Sequence, residues 1–206
     1  MGEIPTASTI NMSMLTPIVQ GKRVLVIGPA SAIRNHSQHV DFKNYDVYVR
    51  FNYHWIDTVT HPQYCGTETT VVFCNGRQWT RETLHYFNTK VKLVMLRAAV
   101  GQILKLDKLA TPHEYINPRI CEAFSKLYGT EIYTGVLAVK LLVNCHPKQI
   151  DIIGFDFQHT DYLTPTSASY FRRRGVIPHN REINEHHTAG WLTKYPNVRM
   201  IGYDCQ

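Results

Sequence analysis

Apolar residues fall along this chain in short runs separated by polar and turn-forming stretches. Arg23-Val24-Leu25-Val26-Ile27 stops at Gly28-Pro29, a continuous apolar run of the kind buried on both faces of a parallel sheet. Asp46 to Arg50, Thr70 to Phe73, Val91 to Leu96, Gln149 to Ile153 and Val198 to Ile201 repeat the pattern, and each predicts a strand. Between them the spacing turns helical, at Ile120, Phe124 and Leu127, then at Val136, Val139, Leu142 and Val143, and finally in a polar helix from about Glu182 to Lys194. Strands alternating with helices predict a single-domain α/β fold, Rossmann-like and doubly wound, with a mostly parallel sheet flanked by helices. Residues 1–20 show no period and read as an extended N-terminal arm without a catalytic role, which leaves 21–206 for the domain. The stretch from Gln158 to Arg181 is too long for an ordinary connection and reads as a lid or binding loop.

Composition narrows the partners. With 206 residues, 44% hydrophobic and 18% charged, the chain suits one globular domain with a sizeable core. A formal net charge of +6 favours anionic partners such as a nucleotide or an acidic glycan. The basic run Arg172-Arg173-Arg174 is too short to follow a nucleic-acid backbone, so no nucleic-acid partner is expected. Five cysteines, widely spaced and without a C-x-x-C pair, argue against a disulfide framework and a structural zinc site, and for a reducing compartment. No apolar run approaches the roughly 18 residues of a transmembrane segment, and residues 1–20 lack a signal pattern. The expectation is a cytoplasmic protein with no membrane anchor. The opening Met-Gly-Glu-Ile-Pro-Thr fits the loose myristoylation pattern, but Glu3 and Pro5 speak against it. A homo-oligomer is left open.

Candidate chemistry lies at the strand ends, because ligands of an open α/β sheet bind beyond the carboxyl ends of its strands, where the strand order reverses. Gly28 to Ser31 follow the first run, Asn52 the second, Asn75 the third, and Asp156 and Gln158 the fifth. The first turn is not a dinucleotide fingerprint, since Ala30 and Ile33 stand where glycines are needed, and no Walker loop is present. Thr134 reads as an N-cap of a helix whose free N–H groups would face an anion, with Gly135 letting a ligand come close. Asn52 offers a donor and an acceptor to a ribose or base. Each residue also has a plainer reading: a strand-ending turn for Gly28, an ordinary cap for Thr134, a turn-forming side chain for Asn52.

The order of these segments resembles the sialyltransferases. Val24-Leu25-Val26-Ile27-Gly28 followed by the stretch from Val40 to Asn52, with Asp41, Arg50 and Asn52, is similar to the long sialyl motif, and Cys65 to Thr70 to the segment before its third strand. Thr134-Gly135 at a helix start, with Ile150 to Phe157 closing on Gly154-Phe155-Asp156, resembles the short motif. His179, Glu185 and Leu192 resemble the very short one. Both the eukaryotic and the bacterial sialyltransferase families are echoed. The resemblance implies a sialyltransferase-like variant of the GT-A fold and an inverting, metal-independent glycosyltransferase that needs no cofactor. Its donor would be a CMP-activated sugar, sialic acid or a keto-sugar such as Kdo, and its acceptor a glycan or glycoconjugate hydroxyl.

In that reading His179 is the general base, since an imidazole titrating near neutrality suits removal of a hydroxyl proton, and Glu185 supports it. Gly28, Ser31, Asn52, Asn75, Thr134, Gly135 and Asp156 line the donor site, and Tyr162, Tyr170 and His159 are candidates for the charge of the leaving phosphate. Four departures stand beside the match. Pro29 replaces the Asn usual after the first Gly, and the spacing from His179 to Glu185 is one residue longer than the usual eukaryotic His-x-x-x-x-Glu. The first cysteine of the eukaryotic disulfide is missing, although Cys145 lies near the second position. The eukaryotic anchor and stem are also missing, and these last two departures suggest a bacterial-like or viral protein. Two other readings follow: a catalytically silent nucleotide-binding or interaction module, and a metal-dependent hydrolase using His179, Glu182, His186 and His187.

Overall fold

Among the described residues of the computed structural model (12–75, 79–97, 106–157, 159–160, 162–164, 181–192 and 194–202), seven strands form one sheet in which every pairing is parallel. They are β1 (Arg23–Ile27), β2 (Val47–Phe51), β3 (Val71–Cys74), β4 (Leu93–Leu96), β5 (His113–Tyr115), β6 (Gln149–Ile153) and β7 (Val198–Met200), in the order β5-β4-β3-β2-β1-β6-β7. The chain winds outward from β1 to β5, then returns past β1 to lay down β6 and β7. Val24 of β1 lies opposite both Val47 of β2 and Ile150 of β6, so the winding reverses between β1 and β6.

Among the same described residues the α-helices are α1 (Leu15–Val19), α2 (Ile33–His36), α3 (Asp57–Thr60), α4 (Pro62–Cys65), α5 (Arg81–Lys90), α6 (Pro118–Tyr128), α7 (Thr134–Val143) and α8 (Arg181–Leu192). Alternation along each strand divides the core between two faces. Val24, Val26, Val49, Phe51, Phe73, Met95 and Ile152 join α1, α6 and α7 on one face. On the other, Val72, Cys74, Val94 and Leu96 pack with α5, and Leu25, Ile27 and Ile153 with Ile33 and Cys65. The sheet is therefore wound on both faces. In α7, Val136 through Leu142 are all buried, which fits a helix lying across the middle of the sheet and nearly apolar all round.

Several expectations need correction. The arm is not extended up to residue 20, because Leu15 and Val19, one helical turn apart, are buried in the core on α1. The Glu114 carboxylate accepts the backbone N–H groups of Ser13 and Met14 and the Ser13 hydroxyl at the start of that helix. β5 has no apolar run to announce it, since His-Glu-Tyr is half-buried at the sheet edge. In α6 the buried stripe is Ile120, Phe124 and Tyr128, and Leu127 is exposed.

Two buried charges tie loops to this frame. Asp151 in the middle of β6 is fully buried and receives Arg199 through two bonds of 2.7 Å, the Tyr45 hydroxyl at 2.7 Å and the Gln149 amide. Burial alone would raise its pKa, but these bonds outweigh burial and hold the carboxyl below its ordinary range. Arg50, 1% exposed, turns its guanidinium to the carbonyls of Cys65 (2.6 Å), Gly66 and Glu68 and to the Thr69 hydroxyl. It fastens the 65–69 loop, where the resemblance had placed it in a nucleotide motif.

Candidate active site

β1 and β6 stay bonded beyond their last residues. The N–H of Gly28 donates to the Ile153 carbonyl at 2.7 Å and that of Ala30 to the Gly154 carbonyl at 3.1 Å. Gly154 has φ +70°, and a Cβ on Gly28 would lie 2.2 Å from its carbonyl oxygen, so only glycine fits at either position. The Pro29 carbonyl accepts the N–H of Leu163 at 2.7 Å, and Ala30 forms an antiparallel bridge with Tyr162. Residues 162–164 thus cover the end of β1, and Ser31 sits half-buried in the turn that enters α2. At the ends of the next strands, Asn52 (φ 50°) accepts the N–H of Asn75 on its Oδ1 at 3.0 Å, so these two asparagines are brought together.

α7 starts at the same edge. Its N-cap is Tyr133, with no side-chain cap, and Thr134 is the first helical residue; the expectation of a Thr134 cap is corrected. The Thr134 hydroxyl instead accepts from Arg97 Nη1 at 3.1 Å, and Arg97 also reaches the Ile132 carbonyl at 2.8 Å and Glu131 at 3.1 Å. The fully buried Asn184 of α8 accepts the N–H of Tyr133 at 3.0 Å and donates to the Glu131 carbonyl, which fixes the helix start against α8. Gly135 faces the ring of Phe155, whose Cε1 would lie 2.4 Å from a Cβ built there.

The segment after β6 is pinned at several points. Asp156 Oδ2 accepts the N–H of Thr160 at 2.7 Å and its hydroxyl at 2.5 Å, and Thr160 Oγ1 accepts the N–H of Ala32 at 3.3 Å. His159 Nε2 and Glu185 Oε2 are 2.9 Å apart. The ring of Tyr162 lies 5.0 Å from that of His54, and Thr164 shares a 3.0 Å hydrogen bond with Thr60.

His54 is itself buried, and desolvation, helped by the charge of Arg50, lowers its pKa to about 3. Burial also raises the carboxyl of Asp57, against hydrogen bonding from Thr164 and the charges of Arg50 and His61. His54 Nδ1 and Asp57 Oδ2 are 3.8 Å apart, and among the described residues His54 Nδ1 and Asp57 Oδ1 have no hydrogen-bond partner. With both groups pushed toward their neutral forms at that separation, they are desolvated neighbours and not an ion pair.

Gly28, Ser31, Asn52, Asn75, Thr134, Gly135, Asp156 and Tyr162 therefore belong to strand ends, a helix start and the segment that covers them, and Glu185 to the second turn of α8. Tyr170, His179 and Arg172 to Arg174 lie outside the described residues. Glu185, expected to support His179, is paired with His159. Phe155, Arg97 and Asn184 are additions. Arg97 was reachable from the sequence as the first residue after a strand, whereas nothing local to Asn184 announces its contact with Tyr133 51 residues away. Among the described residues no three His, Cys, Asp or Glu side chains converge as a metal site would require, and no helix is long and apolar enough to cross a membrane.

The fold is that of the sialyltransferases. No family model matches the sequence, and no curated protein matches it. A mammalian sialyltransferase, solved in complex with Gal-beta-1-3GalNAc-ortho-nitrophenol, superposes with TM-score 0.64 at 14% identity, over 92% of this chain and 73% of its own. The Campylobacter jejuni sialyltransferase CstII, in complex with cytidine-5'-monophosphate, gives 0.54 at 14% identity, over 88% and 79%. The monofunctional alpha-2,3-sialyltransferase Cst-I of the same organism gives 0.56 at 16%, over 87% and 74%.

Proposed function

We propose that the chain is a CMP-sugar-dependent glycosyltransferase that moves sialic acid, or a related keto-sugar such as Kdo, to a glycan hydroxyl. The observation that carries this reading is the crevice where the sheet reverses. The carboxyl ends of β1 and β6, the bonded pair Asn52 and Asn75, and the uncapped start of α7 meet there in a sialyltransferase-like fold. Orphan N–H groups at a helix start favour an anionic group of the donor.

In the reaction the acceptor oxygen attacks the anomeric carbon as the bond from that carbon to the phosphate oxygen breaks. The acceptor proton passes to His179, and CMP leaves with its phosphate charge met by Tyr162, Tyr170 and His159. Attack opposite the leaving group inverts the anomeric centre. His179 enters by its place in the very short motif, two residues before α8 begins.

Pro29 favours a second reading, a donor-binding module without turnover, because it stands where the resembled families carry Asn. One assay separates the two. The purified chain is incubated with CMP-sialic acid and excess chelator, and CMP release is followed with and without glycan acceptors. Release that survives chelation and is lost in His179→Ala supports the transferase, with rate falling below about pH 6 as an imidazole base is protonated. CMP binding without release supports the module, and release abolished by the chelator overturns both.

A further inference from the structure

Residues 162–164 are docked one by one. The N–H of Leu163 donates to the Pro29 carbonyl at 2.7 Å and Tyr162 bridges to Ala30, which ties the backbone to the turn after β1. The Leu163 side chain, 2% exposed, packs with Ile27, Ile33 and Cys65. Thr164 shares its 3.0 Å hydrogen bond with Thr60 and also bonds Asp57, both on α3. These anchors fix where the segment runs. They leave open where the Tyr162 ring points, since a tyrosine side chain keeps several staggered choices on a fixed backbone.

The ring meets His54. Its centroid lies 5.0 Å from that of the imidazole, at an interplanar angle of 59°, and Tyr53 packs on the same imidazole at 4.8 Å. His54 opens the short 3-10 turn His54–Ile56, just beyond Asn52 at the end of β2. The imidazole thus stands between the β2 end, with its Asn52–Asn75 pair, and the residue that bridges to the β1 end. It is a fixed support, 5% exposed and with Asp57 and Arg50 as its charged neighbours. Burial, helped by the charge of Arg50, keeps it neutral, so it packs as a flat ring without drawing in water or a counter-ion.

We propose that His54 is a positioning residue that holds the ring of Tyr162 toward the crevice where the sheet reverses. The proposal rests on the transferase reading above, in which Tyr162 meets the charge of the leaving phosphate. A ring backed by a buried ring loses the rotamers that would carry its hydroxyl away. Placing a hydroxyl in advance matters most where charge develops, in the transition state, and adds little to ground-state binding of the sugar nucleotide. Loss of His54 must therefore fall on kcat and pass through Tyr162.

The test is steady-state CMP release from CMP-sialic acid by the full chain. The variants are His54→Ala, His54→Phe, Tyr162→Phe and the double variant His54→Ala/Tyr162→Phe, each with a melting curve. Tyr162→Phe is expected to lower kcat by about 10- to 100-fold. His54→Ala is expected to lower it by about tenfold or more, with KM within about threefold of the parent. The double variant should stay within about threefold of Tyr162→Phe alone, and His54→Phe, which restores a ring, within about threefold of the parent. If the alanine variant does not fold, His54→Leu fills most of the volume without a flat ring and carries the same comparison. Losses that multiply in the double variant, or an unchanged kcat in His54→Ala, overturn the role of His54 and leave the transferase standing. An unchanged kcat in Tyr162→Phe overturns the role of Tyr162 and this inference with it. A parent that releases no CMP overturns the transferase reading and this inference together.

Discussion

His159 Nε2 and Glu185 Oε2 lie 2.9 Å apart, joining the segment that follows β6 to the second turn of α8. A carboxylate on one ring nitrogen fixes the plane of an imidazole and which nitrogen is presented outward. If that imidazole meets the leaving phosphate, Glu185 acts through it as a positioning residue. Glu185→Ala is expected to slow CMP release from CMP-sialic acid by about 10- to 100-fold. The pair is partly exposed, so the melting temperature should move by no more than about 2 °C. Single-turnover kinetics beside a melting curve check this, and an unchanged rate removes the pair from the chemistry.

Gly135→Ala reports on the packing of Phe155. Elsewhere in a helix this change stabilises by up to about 1 kcal/mol. Here the new Cβ meets the Phe155 ring at 2.4 Å, and overpacking should destabilise by about 1–3 kcal/mol. Phe155→Leu in the same chain should recover part of that loss, with a coupling of about 1 kcal/mol or more in a double-mutant cycle read by urea denaturation. A stabilised Gly135→Ala, or strict additivity, would mean that the glycine is not there for the ring.

Arg50 separates a loop fastener from a nucleotide ligand. Arg50→Met keeps the apolar stem but strips the carbonyls of Cys65, Gly66 and Glu68 of a buried donor, at an expected cost of about 3–5 kcal/mol. At a temperature where the variant remains folded, its affinity for CMP should stay within about threefold of the parent. Calorimetry with CMP reads the second quantity, and lost binding at unchanged stability would return Arg50 to the nucleotide site.

Strands were legible wherever burial on both faces leaves a mostly apolar run, so β1 matches the sequence reading residue for residue, and so does β6 although Asp151 interrupts its apolar residues. β5 was not, because three polar residues at an edge need bury no side chain fully. The candidate site was legible as a set of positions at strand ends and a helix start, and illegible as contacts. Gly28 and Gly135 stand out as places needing space, but which group uses the space depends on Phe155, which the fold brings between them. Thr134 carries the right chemistry for a cap, yet Arg97, 37 residues away, takes its hydroxyl. Long-range partners of this kind leave no local period or spacing to read.

His54 gives the fold an acid limb that the sequence does not announce. The unfolded imidazole titrates near 6.5, whereas burial and then the charge of Arg50 lower it to about 3 in the fold. Below pH 6.5 the unfolded chain therefore takes up a proton that the native chain refuses. Stability is full above that pH and falls by about 1.4 kcal/mol per unit toward pH 3. Asp57 works the other way, since its raised carboxyl holds a proton in the fold to higher pH than in the unfolded chain and so adds stability in acid that is lost as pH rises.

His54→Phe keeps a ring beneath Tyr162 and removes only the first of these effects. Relative to the parent it should be within about 1 kcal/mol at pH 7 and more stable by about 2–3 kcal/mol at pH 4.5. Urea denaturation at the two pH values measures the difference, and a gap that does not widen in acid would show that His54 charges freely in the folded chain.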